Sequence, residues 1–339
     1  MQAQNTHIII SRTDAIGDVC LTLPSIGWLK STYPEWRVTL LVNAYAAPVA
    51  QACKWVDSVA VLPAEMDTAA LSYWLKDMHA DQIVHVFPNR KIAKASKLAG
   101  ITKRSGVWGR IYHWFYCNEF VWMSRARSPM HEAQLNLLLL SKLLKHDCPD
   151  AVSIRAQAVV WSGMKPAKKN LSDLSKDIVL HPYSRGHGRE WPTQYFAELA
   201  QLMVKSGWRP VVAGTAIDAI QFESHQHLFP PETNVMFGKE SLADYLSRIS
   251  ESAGLVASST GPLHIAAAMG KPSIGIYAPK ARIDKRRWGA IGPATRNLQH
   301  GVNCQTRCSN RDCQCMRQIK PAEVWDALQF QLDNTFVPE

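Results

Sequence analysis

"HIIISRTDAIGDVCLTLPSIGWLKST", His7–Thr32, runs from an apolar segment through a short polar loop into a helix-like stretch. A brief continuous apolar run predicts a strand buried on both faces. Its direct passage into a helix is the building unit of a parallel sheet. The unit recurs: Val38–Val42, Ser58–Leu62 and Gln82–Phe87 repeat the buried-strand pattern, and Thr68–His79 predicts a helix between them. Residues 128–146, SPMHEAQLNLLLLSKLLKH, predict one long amphipathic helix. The polar, basic run KPAKKNLSDLSK at 165–176 reads as a linker.

After the linker the alternation restarts. Strands are predicted over Ile178–His181, Pro210–Ala213, Gly254–Ala257 and Ser273–Tyr277, and helices over Thr193–Ser206, Leu242–Ser250 and Pro262–Met269. This rhythm predicts an α/β protein of two Rossmann-like halves whose parallel sheets face a central crevice. Ligands in such sheets bind beyond the carboxyl ends of the strands. The expected boundaries are 1–164 for the first domain, 165–176 for the linker, 177–320 for the second domain and 321–339 for a C-terminal helix and tail.

A chain of 339 residues is too long for one ordinary core, and 47% hydrophobic with 19% charged residues is ordinary for a globular protein. No apolar run approaches the roughly 18 residues of a membrane-spanning helix. The start, MQAQNTH, lacks the basic region, apolar core and cleavage site of a signal peptide, so a cytoplasmic location is expected. The formal charge of +10 predicts an anionic partner: nucleic acid, a nucleotide-linked substrate or an anionic membrane. No zinc-finger, RNA-recognition or homeodomain signature is present, which sets nucleic acid aside.

Three loops carry candidate chemistry. The first holds Gly17 and Asp18. A dinucleotide site would need several glycines there, and only Gly17 is present, which argues against a nicotinamide enzyme. Asp18 reads either as the N-cap of a helix beginning near Val19 or as a catalytic carboxylate, and the two roles are compatible. The second loop, HPYSRGHGREWP at 181–192, carries Arg185, His187 and Arg189. Guanidinium groups at a strand's carboxyl end suit phosphate, although a solvated basic loop is the plainer alternative. The third, SSTGPLHIAAAMGKP at 258–272, offers Ser259, the Thr260 hydroxyl, free N–H groups at Gly261, a helix start at Pro262, and His264 in the first turn. Such a helix start favours an anion, whereas His264 is as readily a structural histidine.

Together TDAIGDVCLTLP, HPYSRGHGREWP, VVAGTAID and SSTGPLHIAAAMGKPSIGIYAPK, in this order along nearly the whole chain, resemble family 9 glycosyltransferases, the bacterial heptosyltransferases of lipopolysaccharide assembly. The resemblance implies a GT-B fold with acceptor in the first domain and nucleotide sugar in the second. It implies inverting, metal-independent transfer of heptose from ADP-heptose to a lipid-A-linked core oligosaccharide, beside the anionic inner face of the inner membrane. By position the general base falls on Asp18. Phosphate contacts fall by position on Arg189, Thr260 and Gly261; Arg185, Ser259, Pro262, His264, Gly214 and Thr215 are further donor candidates, and Arg12, Gly17, Asn89, Arg90 and Arg104 are acceptor candidates. Two departures stand out: Ser259 replaces an acid that many members carry, and Tyr277-Ala278-Pro279 replaces the family's "fGp". These leave open another nucleotide sugar; a different class of reading is a catalytically silent nucleotide-binding or assembly protein.

Two features lie outside these motifs. WGRIYHWFYCNEFVWMSRARS, Trp108–Ser128, is the densest aromatic stretch and is flanked by Arg110, Arg125 and Arg127, as an interfacial membrane contact would be; core packing is the alternative for most of its rings. Of eight cysteines, Cys304, Cys308, Cys313 and Cys315 crowd into CQTRCSNRDCQC and form a candidate structural metal site. Their spacing departs from standard zinc pairs, so free thiols or a disulfide remain alternatives.

Overall fold

The computed structural model describes residues 6–164, 175–184, 188–281, 283–302, 304, 308 and 313–335. It divides into two compact units, Met1–Lys165 and Pro166–Glu339. The first unit holds strands His7–Ser11 (β1), Arg37–Val42 (β2), Ser58–Val61 (β3), Gln82–His85 (β4), Lys103–Val107 (β5) and Glu119–Val121 (β6). They lie in the order β3-β2-β1-β4-β5-β6, and every pairing is parallel. The second unit holds Asp177–His181 (β7), Arg209–Gly214 (β8), Asn234–Phe237 (β9), Gly254–Ser258 (β10), Ser273–Ile276 (β11) and Thr295–Leu298 (β12). Their order, β12-β11-β10-β7-β8-β9, is the same winding, again all parallel.

Each sheet therefore reverses its winding once, between β1 and β4 and between β7 and β10. These are the points where loops part and leave room for a ligand. The strands flanking them are apolar because helices cover both faces: β1 and β10 are buried along their whole length. The strands with no counterpart in the sequence reading, β5, β6, β9 and β12, are short or polar (KRSGV, EFV, NVMF, TRNL). Three of them are sheet edges, half in solvent, where little apolar signal is needed.

Two helix expectations need correction. The segment expected as one helix over 128–146 is helical only at Glu132–Leu143. His131 caps its start by accepting from Ala133 N–H. Lys145, in left-handed conformation (φ 57°), closes its end as His146 N–H donates to Ser141 O at 2.8 Å. The stretch Leu21–Thr32 is preceded by a separate short helix, Ile16–Cys20, and becomes helical again at Leu23–Thr32, where Pro24 sits in the first turn.

In the second unit Trp191 is buried in the core, stands edge-on to Phe196 at 4.8 Å, and donates its indole N–H to Ile319 O at 2.9 Å. The helix Pro321–Thr335 completes that core through Val324, Trp325, Leu328 and Leu332.

In the first unit two imidazoles, His85 and His113, are buried with ring centroids 5.8 Å apart. Burial first, then the neighbouring His113 and Arg104, pushes His85 down to about 3. Its folded value lies below its unfolded value of about 6.5, so its contribution to stability is present above pH 6.5 and is lost as pH falls toward 3. The slope for one full proton is about 1.4 kcal/mol per pH unit. Unfolding midpoints in urea across this window are expected to fall less steeply with acid in His85→Phe than in the parent. Equal slopes would refute a neutral buried His85.

Candidate active site

At the carboxyl end of β1 the chain turns through Arg12, Thr13 and Asp14 into the helix Ile16–Cys20. Asp18 lies inside that helix, with Ala15 as N-cap and no side-chain capping bond, so the N-cap reading is corrected. Its carboxylate instead pairs with the Arg12 guanidinium. Arg12, only 2% exposed, is the hub of a buried polar cluster. It pairs with Asp14 at 2.8 Å and donates to Glu132 at 3.2 Å and Asn136 at 3.4 Å. Arg125 approaches from the other side, pairing with Glu132 and donating to Asn136 Oδ1 at 2.9 Å. Asn136 in turn donates to Leu21 O at 3.0 Å and the Thr22 hydroxyl at 3.2 Å, tying the cluster to the turn behind Asp18.

Three carboxylates thus share two guanidinium groups. Burial pushes Asp14 up to about 7, with Arg12 opposing and Asp18 and Glu132 adding to the rise. Burial likewise raises Asp18; Arg12 opposes it and Glu132 reinforces it. A carboxylate held above its ordinary range is a better proton acceptor near neutral pH. Asp14, Glu132 and Asn136 have no place in the sequence reading, and Arg125, read there as a cation flanking the aromatic stretch, is corrected to a member of this cluster. The one available signal was Glu132 and Asn136 as a polar i,i+4 pair inside an apolar helix, which predicts a shared buried partner.

The loop after β4 borders the same switch point, stapled to β1 by Phe87 N–H donating to Ser11 O at 3.1 Å. There Asn89 caps the helix Arg90–Leu98, accepting from Lys91 and Ile92 N–H at 3.0 and 3.2 Å, and Arg90 is exposed. Gly17 stands beside Asp18 in its helix, its carbonyl accepting from Leu21 N–H. Two acceptor assignments are corrected. Arg12 is enclosed by the cluster that holds Asp18. Arg104 sits near the amino end of β5, away from this edge, bound to the carbonyls of Tyr116 and Ile101.

In the second unit the loops after β7 and β10 meet. Trp191 N–H donates to Ser258 Oγ at 3.0 Å, and a Cβ added at Gly188 would lie 3.4 Å from Ser259 O. Glu190 accepts from Ser184 N–H and Oγ, and Arg189 beside it is half-buried. Arg185 and His187 lie outside the described residues. Thr260 is the N-cap of the helix Gly261–Ala268, with Pro262 in its first turn. Its hydroxyl makes no capping bond, is buried, and has no hydrogen-bond partner among the described residues. His264 lies buried one turn on.

Gly214 and Thr215, at the end of β8, serve local structure: Asp218 accepts from Thr215 N–H at 2.7 Å and Oγ1 at 2.8 Å. A Cβ on Gly214 would lie 2.7 Å from the Phe237 ring. Tyr277 is buried, donating to Trp288 O at 3.0 Å and accepting from Ala290 N–H at 3.2 Å.

None of the four C-terminal cysteines is in a disulfide. The Cys315 thiol is pushed up to about 12, first by burial and then by Cys304, Cys313 and Cys308. The thiols adjoin, but among the described residues no group of three or more His, Cys, Asp or Glu side chains is placed to hold a metal ion. Nor, among those residues, is any helix long and apolar enough to cross a membrane.

Comparison with known proteins defines the class. The fold matches the structure of E. coli ADP-heptose lps heptosyltransferase II with a TM-score of 0.75 at 16% identity, over 98% of this chain and 100% of that one. A putative glycosyltransferase of Haemophilus influenzae is 25% identical over 86% of this chain and 88% of its own length. Lipopolysaccharide heptosyltransferase 2 of E. coli K12 is 22% identical over 81% and 83%. The profile of glycosyltransferase family 9 (heptosyltransferase) matches residues 73–317. The protein is thus a glycosyltransferase of GT-B fold, and the chain belongs to family 9.

Proposed function

We propose that the protein transfers heptose from ADP-heptose, with inversion, to an inner-core sugar of a lipid-A-linked acceptor, with Asp18 as general base. The observation that carries this reading is the Asp18 carboxylate at the β1 switch point, paired with Arg12 and raised by burial and by Glu132 against the opposing pull of that guanidinium. In the reaction Asp18 takes the proton of the acceptor hydroxyl as that oxygen attacks the anomeric carbon. The bond from that carbon to the β-phosphate oxygen breaks on the opposite face, and ADP leaves with the electron pair. Arg189, the Thr260 hydroxyl and the free N–H groups of the Gly261–Ala268 helix end stabilise the departing diphosphate, so the step asks for no metal. The donor assignment draws on the E. coli relative described with ADP-heptose. A lipid-linked acceptor and a formal charge of +10 favour work at an anionic membrane surface.

Thermal stabilisation tests the donor. ADP at about 100 times its Kd is expected to add roughly 2.7 kcal/mol to the stability of the unit that binds it. The rise in Tm should persist in EDTA and exceed that given by UDP, GDP or NAD. A selective UDP or GDP shift would replace the donor, as Ser259 allows. No shift with any nucleotide would favour the silent assembly protein.

A further inference from the structure

Aromatic side chains gather at one edge of the first sheet, where the catalytic cluster makes no use of them. Trp108 follows β5 directly and Trp122 follows β6, so both leave the carboxyl edge of the sheet, the edge that carries Asp18 after β1. Between them runs the short helix Ile111–Tyr116. Trp108 is the half-buried centre: it stacks on Trp122 at 4.8 Å, lies 5.1 Å from Trp114, and meets Phe120 edge-on at 5.6 Å. Trp114 donates its indole N–H to Trp108 O at 2.9 Å, so its polar atom is satisfied without solvent. Around this centre Trp122 is 72% exposed, Ile111 69%, Phe115 63% and Trp114 51%. A folded chain that leaves four large apolar side chains together in water, on rings pinned to one another, presents a contact surface.

The surroundings state which partner fits. Arg110, immediately before the helix, is exposed. The neighbouring helix Arg90–Leu98 turns Arg90, Lys94 and Lys97 outward at i, i+4 and i+7, and Lys97 binds the Phe115 carbonyl at 2.8 Å. Indole rings framed by cations complement the headgroup region of an anionic bilayer, where rings enter the interface and cations meet phosphate.

We propose that the Trp114–Trp122 surface docks the protein on an anionic lipid bilayer. The proposal deepens the membrane association proposed above by naming its surface. Docked there, the carboxyl edge of the first sheet stands next to the headgroups from which a lipid-linked acceptor emerges. The other occupant such rings could take, a second copy of the chain, is an outcome of the test.

The test is flotation of the full chain with phosphatidylcholine vesicles, with and without phosphatidylglycerol, alongside size-exclusion with light scattering. The parent is expected to float with phosphatidylglycerol vesicles, less at high salt, and not with phosphatidylcholine alone. Trp114→Ser/Trp122→Ser should bind roughly tenfold or more weakly while keeping the parent's ADP-induced shift in Tm. Arg110→Gln/Lys94→Gln should weaken binding and flatten its salt dependence. No flotation of the parent, or equal flotation of the tryptophan variant, would overturn the proposal. So would a parent dimer that the tryptophan variant dissolves. Vesicle binding that depends on the tryptophans, with no ADP shift, would leave the surface standing and remove the donor reading; the reverse pattern would do the opposite.

Discussion

Asp18→Asn is expected to lower kcat by about 10²–10⁴-fold, the range a positioned general base supplies. The amide keeps the shape of the side chain and loses the proton acceptor. The proposed donor contacts, Arg189, Thr260 and the Gly261–Ala268 helix end, all lie in the second unit, so the ADP-induced rise in Tm should match the parent's. The protein itself should be no less stable. One carboxylate fewer leaves Asp14 and Glu132 to balance Arg12 and Arg125, where three acids had shared two guanidinium groups. Turnover of ADP-heptose with a heptose-deficient acceptor and a melting curve on the same preparation check both halves. Turnover within a few-fold of the parent would remove Asp18 from the chemistry.

Arg12→Met is expected to be the most damaging single change to the first unit. Arg12 is enclosed, and Asp14, Asp18 and Glu132 all face it. Removing one side of a buried ionic cluster leaves uncompensated charge and costs about 3–5 kcal/mol. The Tm is expected to fall by an amount on the order of 10 °C. The pH dependence identifies the cause. Without Arg12 the carboxyls of Asp14 and Asp18 move further above their unfolded values, so the folded state holds more protons than the unfolded chain. Stability then falls as pH rises between the unfolded value near 3.9 and the raised folded values, and acid relieves the defect. A variant equally unstable at pH 5 and pH 8 would point to lost packing instead. This trend is opposite in sign to that of His85, which is why the His85→Phe comparison is read as a difference from the parent.

Much of this was legible from residue order. Buried parallel strands must be apolar on both faces, so HIII, VTLLV, IVLH and GLVA stand out, and each is followed by the loop its strand carries to the sheet edge. The candidate residues Asp18, Arg189, Thr260 and Gly261 follow the ends of those strands for the same reason. Edge strands such as EFV and TRNL escaped because a strand half in solvent needs no apolar run. Arg104 was misplaced because β5, KRSGV, is too polar to read as a strand: Arg104 stands near its amino end, away from the edge that carries Asp18.

The sequence by itself therefore determined the doubly wound class, the placing of polar loops at strand ends, and the family resemblance, all properties of local period and order. Tertiary structure decided what surrounds Asp18. Arg12, Arg125, Glu132 and Asn136 come from segments up to 124 residues apart, and the cluster forms only when the helix Glu132–Leu143 packs against the helix Leu23–Thr32. Likewise, the seven Phe, Trp and Tyr residues of Trp108–Ser128 could have been core or surface. Burial is a property of what packs on top, and among the described residues Trp114 and Trp122 are left 51% and 72% exposed.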